Sequence, residues 1–212
     1  MRGPHDVTKE FERAVADYCG SPYAVAVNSC TNALFLCLMW FKHKGELPRF
    51  IECPSKTYVS VPMQIVHAGA KPAFRDYEWR GAYPLSPLPV WDCARRFTSN
   101  MWRPGQFMCT SHHWSKILGL QQGGVILHSS PEADEWFRRA RFDGRREGVP
   151  PHKDDFDMLG WHTYMSPEVA ALGLVRLSIL PKHNDDLPNS DYPDLSTHPV
   201  FGHVSNHAIA AE

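Results

Sequence analysis

The sequence predicts an α/β protein: a three-layer sandwich with helices on both faces of a mostly parallel central sheet. Three observations carry this expectation. Apolar segments such as Tyr23–Val27 and Gly123–Leu127 have strand length and lack the alternation of a half-exposed sheet. Segments with the helical apolar repeat separate them. Small polar or glycine-containing turns join strands to helices, as crossover units require.

Along the chain, Asp6 caps a helix whose apolar positions Val7, Phe11, Ala14, Val15 and Tyr18 share a face, and Cys19-Gly20 ends it. After the strand Tyr23–Val27, the polar turn 28–32 opens a second helix from Ala33 to about Lys42. Phe50–Pro54 reads as a strand, and Tyr58–Ala68 as a helix with Pro62 in its first turn. Lys71–Asp76 is a strand leading to a loop. A proline-rich connection, Pro84–Pro89, precedes a strand end at Val90-Trp91-Asp92. Gly123–Leu127 is a further strand, and Pro131–Arg141 a helix capped by Ser129 or Ser130. A charged loop spans Gly144–Asp157, and Ser166-Pro167-Glu168 starts a helix through Leu177. Beyond Pro181, Asn, Asp, Pro and His dominate. Residues 1–181 are therefore expected to form the α/β domain, and residues 182–212 an extended or partly ordered tail.

Composition narrows the function classes. Lys and Arg number 22 against 23 Asp and Glu, for a net charge of −1, so no global basic field draws in nucleic acid. Local clusters at Arg95-Arg96 and across Arg138–Arg146 keep phosphate contacts open, against a solvated surface as the simpler reading. No apolar run reaches membrane-spanning length, and no secretory signal is visible. The six cysteines show no C-x-x-C spacing and read as reduced core or site thiols in a cytoplasmic protein. The tail histidines 183, 198, 203 and 207 have no tight ligand spacing, so no metal site is expected.

Ligands of such folds gather at the carboxyl ends of strands. Three segments lie there: 28–32, 91–95 and 109–116. The turn 28–32 precedes a helix whose first amides and dipole suit a phosphate. Asp92 sits at a strand end and Lys116 in a small polar turn. Each also has a plain structural reading: Asp92 as a loop cap, Lys116 as an exposed lysine, Ser29–Asn32 as a helix cap, His112-His113 as a loop pair. Spacing alone does not choose between them.

The order of segments does. Phe11–Gly20 followed by Tyr23–Leu34, then Cys53–Ser60, His67–Pro72, Trp91-Asp92-Cys93-Ala94, Ser111–Lys116 with Gln122-Gly123-Gly124, and Trp161–Ser166 with Ala170–Leu174, resemble successive signatures of the DegT/DnrJ/EryC1/StrS sugar aminotransferases. These are fold type I enzymes dependent on pyridoxal 5'-phosphate (PLP). The resemblance spans about residues 8–178. It implies a trimmed large domain of that fold.

The resemblance also implies roles. Lys116 would form a Schiff base with PLP and shuttle the substrate proton. Asp92 would pair with the pyridinium nitrogen, and Tyr58 would stack on the ring. Ser29, the Cys30 and Thr31 amides, and the Ser111 hydroxyl would hold the phosphate. Arg95, at the family's glutamine position, and His113 complete the expected cofactor shell. His162 falls where the family has an asparagine that reaches a neighbouring subunit's phosphate, so a homodimer with shared sites follows. The chain departs from the family in its short connection between Asp76 and Asp92 and in essentially lacking a C-terminal small domain. The resulting reading is an aminotransferase-like enzyme acting on a small-molecule or carrier-attached amine. The alternatives are a PLP-dependent decarboxylase or lyase acting on an amino acid attached to a nucleotide or modified nucleic acid, and a non-catalytic partner subunit.

Overall fold

In the first helix, Phe11, Val15 and Cys19 recur every four residues and are fully buried, which seats α1 (Asp6–Cys19) along one stripe. Gly20 ends it in the left-handed conformation at φ 75°, and its N–H closes on the Ala16 carbonyl at 2.8 Å. The computed structural model describes residue 3, residues 5–188 and residues 191–201. After α1 come β1 (Tyr23–Val27), α2 (Cys30–His43), β2 (Phe50–Pro54), α3 (Ser60–Ala68), β3 (Lys71–Arg75), β4 (Tyr83–Pro84), β5 (Val90–Cys93), β6 (Phe107–Ser111), β7 (Gly124–His128), α4 (Pro131–Ala140) and α5 (Pro167–Ser178).

Five strands form one sheet in the order β1-β7-β6-β5-β4, and β2 pairs with β3 in a second. Strand β7 runs antiparallel to both β1 and β6, β5 is parallel to β6, and β4 is antiparallel to β5. The expected mostly parallel sheet is therefore a mixed one. Strands β1, β5 and β6 share a direction, but the loop after β6 folds straight back into β7 without a crossover helix, and β4 turns back into β5 through a tight proline-rich connection. Parallel pairing survives between β5 and β6 and between β2 and β3. The second sheet approaches the first where Glu52 N–H donates to the Ser86 carbonyl at 2.7 Å.

Helices cover both sheet faces because strands β1 and β7 are apolar on both. From β1, Val25 and Val27 face α2, while Ala24 and Ala26 face α1 and α5. Helix α2 is buried nearly all round, through Leu34, Leu36, Cys37, Leu38, Trp40 and Phe41. Pro62 lies in the first turn of α3, and Ser130 and Ser166 cap α4 and α5 by accepting from backbone amides three residues on. Strands β4 and β6 lie where no strand is expected from sequence.

All six cysteines are buried free thiols. Burial pushes those of Cys19, Cys30, Cys53, Cys93 and Cys109 up, so they stay protonated. Most arginines of these clusters, Arg95 apart, are committed to carboxylates of this chain. Arg138 binds Glu12 and Asp134, Arg139 binds Asp157, Arg141 binds Glu12 and Glu147, Arg146 binds Asp155, and Arg96 binds Asp186. They present no bare basic surface, and the nucleic-acid expectation gains no support here. Among the described residues, no helix is long and apolar enough to cross a membrane.

Much of the segment after Pro181 folds onto the domain. Leu187 N–H donates to the Arg95 carbonyl and Leu195 N–H to the Ser55 carbonyl, each at 2.9 Å. Leu195 and Phe201 are buried. Residues 189–190 and 202–212 of the expected tail, including His203 and His207, lie outside the described residues.

Candidate active site

A cavity of about 500 Å³ opens where the ends of β5 and β6 meet the start of α2. Asp92 enters it from β5, 5% exposed. Its Oδ1 accepts from Ala94 N–H at 2.8 Å and its Oδ2 from the Tyr83 hydroxyl at 2.7 Å. Burial pushes the Asp92 carboxyl up, while those two donors and the Lys116 and Arg95 charges pull it back.

Lys116 lines the same cavity. It ends a turn in which its N–H donates to the His113 carbonyl at 2.8 Å. The loop carrying it is closed by His112, whose N–H donates to the Gly123 carbonyl at 2.9 Å and whose carbonyl accepts from Leu120 N–H at 2.8 Å. The His112 ring is fully buried against Phe97 and Phe11, and burial pushes its pKa down to about 3. His112, weighed from sequence only as half of a loop pair, is thus the anchor of the lysine loop.

The start of α2 supplies an end whose free amides suit an anion. Ser29 caps it by accepting from Asn32 N–H at 3.1 Å, so the Cys30 and Thr31 amides lead the helix into the cavity. Thr31 Oγ1 is 2.9 Å from Ser60 Oγ. Gly124 permits this arrangement. A Cβ there would lie 2.5 Å from both Cys30 N and Ser29 C, so only glycine lets β7 pass so close to the helix end.

Of the residues expected from sequence, Ser29, Cys30, Thr31, Tyr58, Asp92, Arg95, Ser111, His113 and Lys116 all line this one cavity. His162 does not. Its Nδ1 sits 2.8 Å from Asp143 Oδ2 on an exposed face, with a side chain 69% exposed. Sequence reasoning missed Thr57, Trp79 and Tyr192, which also line the cavity, and Tyr83, which stands behind Asp92.

A primary amine, a buried carboxylate and the N-terminus of a helix thus share one cavity at the strand ends of a doubly covered sheet. This fold is that of the PLP-dependent aminotransferases. A sugar aminotransferase, CalS13 from Micromonospora echinospora, superposes with a TM-score of 0.72 at 20% identity, over 84% of this chain and 61% of that one. DesV from S. venezuelae, solved with a ketimine intermediate, gives 0.66 at 21% identity, over 85% and 58%. A putative PLP-dependent aminotransferase from Bacillus cereus gives 0.66 at 18% identity, over 83% and 58%.

Sequence comparison reaches the family. Residues 2–84 match the model of the DegT/DnrJ/EryC1/StrS aminotransferase family. GDP-perosamine synthase of Caulobacter vibrioides is 38% identical over 218 residues, covering 82% of this chain and 57% of that protein. The spore coat polysaccharide biosynthesis protein SpsC of Bacillus subtilis is 43% identical over 79 residues, covering 36% of this chain and 19% of that protein. The chain spans little more than half the length of the perosamine synthase.

Proposed function

We propose that this chain is a PLP-dependent, aminotransferase-like enzyme acting on the amine of a small-molecule or carrier-attached substrate. The observation that carries the reading is that Lys116, Asp92 and the α2 N-terminus line one cavity. The donor set suits the coenzyme. The Cys30 and Thr31 amides, with the Ser29, Thr31 and Ser111 hydroxyls, would take its phosphate. Tyr58, 57% exposed at the cavity, would cover its ring, and Arg95 and His113 would complete the shell. When bound, PLP supplies an electron sink for charge developing at the carbon that bears the amine.

The remaining work falls to the protein. Asp92 would hold the proton of the ring nitrogen; burial raises its carboxyl, and Tyr83, the Ala94 amide and the nearby cations offset part of that rise. Lys116 Nζ would hold the coenzyme covalently and, once displaced by the substrate amine, would carry a proton to and from the substrate carbon. The closed loop behind it limits where that nitrogen travels. His162 lies on an exposed face rather than in this chain's cavity, which supports a homodimer in which it reaches the partner's phosphate. Six free thiols support a reducing, cytoplasmic setting. We assign residues 1–181 to the PLP-binding domain and residues 182–212 to a C-terminal tail, of which Leu187 and Leu195 are bonded to the domain.

The test is spectroscopic and chemical. Adding PLP should give a yellow protein whose colour is lost on borohydride reduction, with the coenzyme's mass retained on the Lys116 peptide. A Lys116→Ala protein that still fixed PLP covalently on reduction would remove Lys116 from the role. Conversion of the bound coenzyme to its amine form by an amine donor supports transamination; release of carbon dioxide without that form supports decarboxylation instead.

A further inference from the structure

Residues 184–188 and 191–201 of the tail form a C-terminal arm, and this arm sends a side chain into the cavity. Tyr192 lines the same cavity as Lys116 and Asp92. Its ring is enclosed by its own chain. The Arg95 guanidinium lies 5.6 Å from the ring centre, and Trp79 lies 13° from parallel with the ring at a centroid distance of 6.4 Å. Tyr58 meets it edge-on at 6.5 Å. The ring therefore fills cavity space between Arg95 and Trp79.

The arm is fastened firmly on both sides of Tyr192 and weakly at Tyr192 itself. Before it, Arg96 binds Asp186 through two bonds, at 2.9 and 2.6 Å, and Leu187 N–H donates to the Arg95 carbonyl at 2.9 Å. Gly81 leaves room for this anchor, since a Cβ there would lie 2.2 Å from the Asp186 carboxyl. After it, buried Leu195 donates its N–H to the Ser55 carbonyl at 2.9 Å, and buried Phe201 meets Phe74 edge-on at 5.5 Å. Tyr192 is held by a long hydrogen bond, from Arg95 Nη2 to its hydroxyl at 3.3 Å, and by ring contacts. Such contacts give way more readily than a two-bond ion pair or a buried apolar anchor, so the ring can leave while both anchors hold.

We propose that the Tyr192 side chain is an autoinhibitory plug: it fills the cavity beside Arg95, and a bulky ligand reaches Lys116 only after the ring swings out. Entry is then slowed by the fraction of time the plug is seated, because a cavity that is open only part of the time reacts in proportion to its open population. The proposal rests on the function proposed above for the identity of one such ligand, PLP. The plug itself follows from the contacts of Tyr192.

The probe is trinitrobenzenesulfonate, a flat, bulky reagent that arylates lysine amines, applied to coenzyme-free protein with labelling read by mass spectrometry of the Lys116 peptide. Tyr192→Ala should label Lys116 about fivefold faster than the wild type, the scale of one cation–π contact at a surface site. Tyr192→Phe, which keeps the ring and loses the hydroxyl bond to Arg95, should gain less. Lys42, whose Nζ donates to the Ala68 carbonyl at 2.8 Å, is the internal control and should label at an unchanged rate. PLP uptake, followed by its absorbance, should quicken in parallel with Lys116 labelling. Unchanged or slower labelling of Lys116 in Tyr192→Ala overturns the proposal, and so does equal acceleration at Lys42, which would mean general loosening of the fold. Failure of the wild type to form a reducible Lys116 adduct with PLP overturns the proposed function instead, and the labelling rates, which need no coenzyme, still decide the plug.

Discussion

The Tyr83 hydroxyl donates to Asp92 Oδ2 at 2.7 Å and lies 2.6 Å from the Thr57 hydroxyl. All three side chains are buried. Strand pairing builds the contact, because Tyr83 on β4 stands directly opposite Asp92 on β5, so the two side chains share a face. A buried carboxylate thereby gains a donor that the short connection after Asp76 supplies from within the chain.

Tyr83→Phe should remove that donor while keeping the ring. The expected cost is about 1–3 kcal/mol, the penalty of a buried polar group left short of a partner. Urea denaturation at pH 7 checks it. An unchanged midpoint would mean that water replaces the hydroxyl and that Asp92 does not depend on Tyr83.

Asp92→Asn should trade function for stability. Burial raises the Asp92 carboxyl above its ordinary value, so the folded chain binds that proton more tightly than the unfolded one. Stability from this group is then fullest at low pH and falls as pH rises toward the raised folded value. At pH 7 the charged form is a net cost. Neutral Asn removes it, and melting should rise by about 2–4 °C for each 1 kcal/mol relieved. PLP retention through dialysis should fall. A lower melting temperature at pH 7 would show that the charge is stabilising.

His112 sets an acid limit. Burial pushes its pKa down to about 3, against about 6.5 in an unfolded chain. The unfolded chain therefore binds the extra proton between those values, and stability contributed by neutral His112 is lost as pH falls below about 6.5. Denaturation midpoints should drop from pH 7 to pH 5, and His112→Gln should flatten that slope. Equal slopes would place the acid sensitivity elsewhere.

Glu12 is a buried junction. Its carboxylate accepts from Ala26 N–H at 2.8 Å, from Arg138 at 2.7 Å and from fully buried Arg141. Glu12→Gln leaves Arg141 facing the interior without its full countercharge, and should cost about 3–5 kcal/mol. Thermal melts of the variant test this, and a loss below about 1 kcal/mol would mean that Glu147 compensates.

Most elements were legible in the sequence, because their signals are local. The apolar run of β1, the Ser29 turn into α2, the Gly20 stop and the proline at the start of α5 all act within a few residues. Strand β6 was missed because Phe107–Ser111 ends in polar Thr and Ser and lacks the unbroken apolar run that marks β1. Two-residue β4 exists only through its pairing with β5.

For the site, the sequence by itself determined which residue types stand at the strand ends and helix start, including Asp92, Lys116 and the polar turn before α2. Their functional groups are fixed by residue identity, whereas packing sets their protonation. Only the tertiary structure decided the sheet's mixed direction, the seating of His112 behind the lysine loop, the Tyr83 hydroxyl on Asp92, and the arrival of Tyr192 from the C-terminal arm. Each of these depends on residues distant in sequence brought within hydrogen-bond or ring-contact range. Such juxtapositions are products of long-range packing, and no local periodicity encodes them.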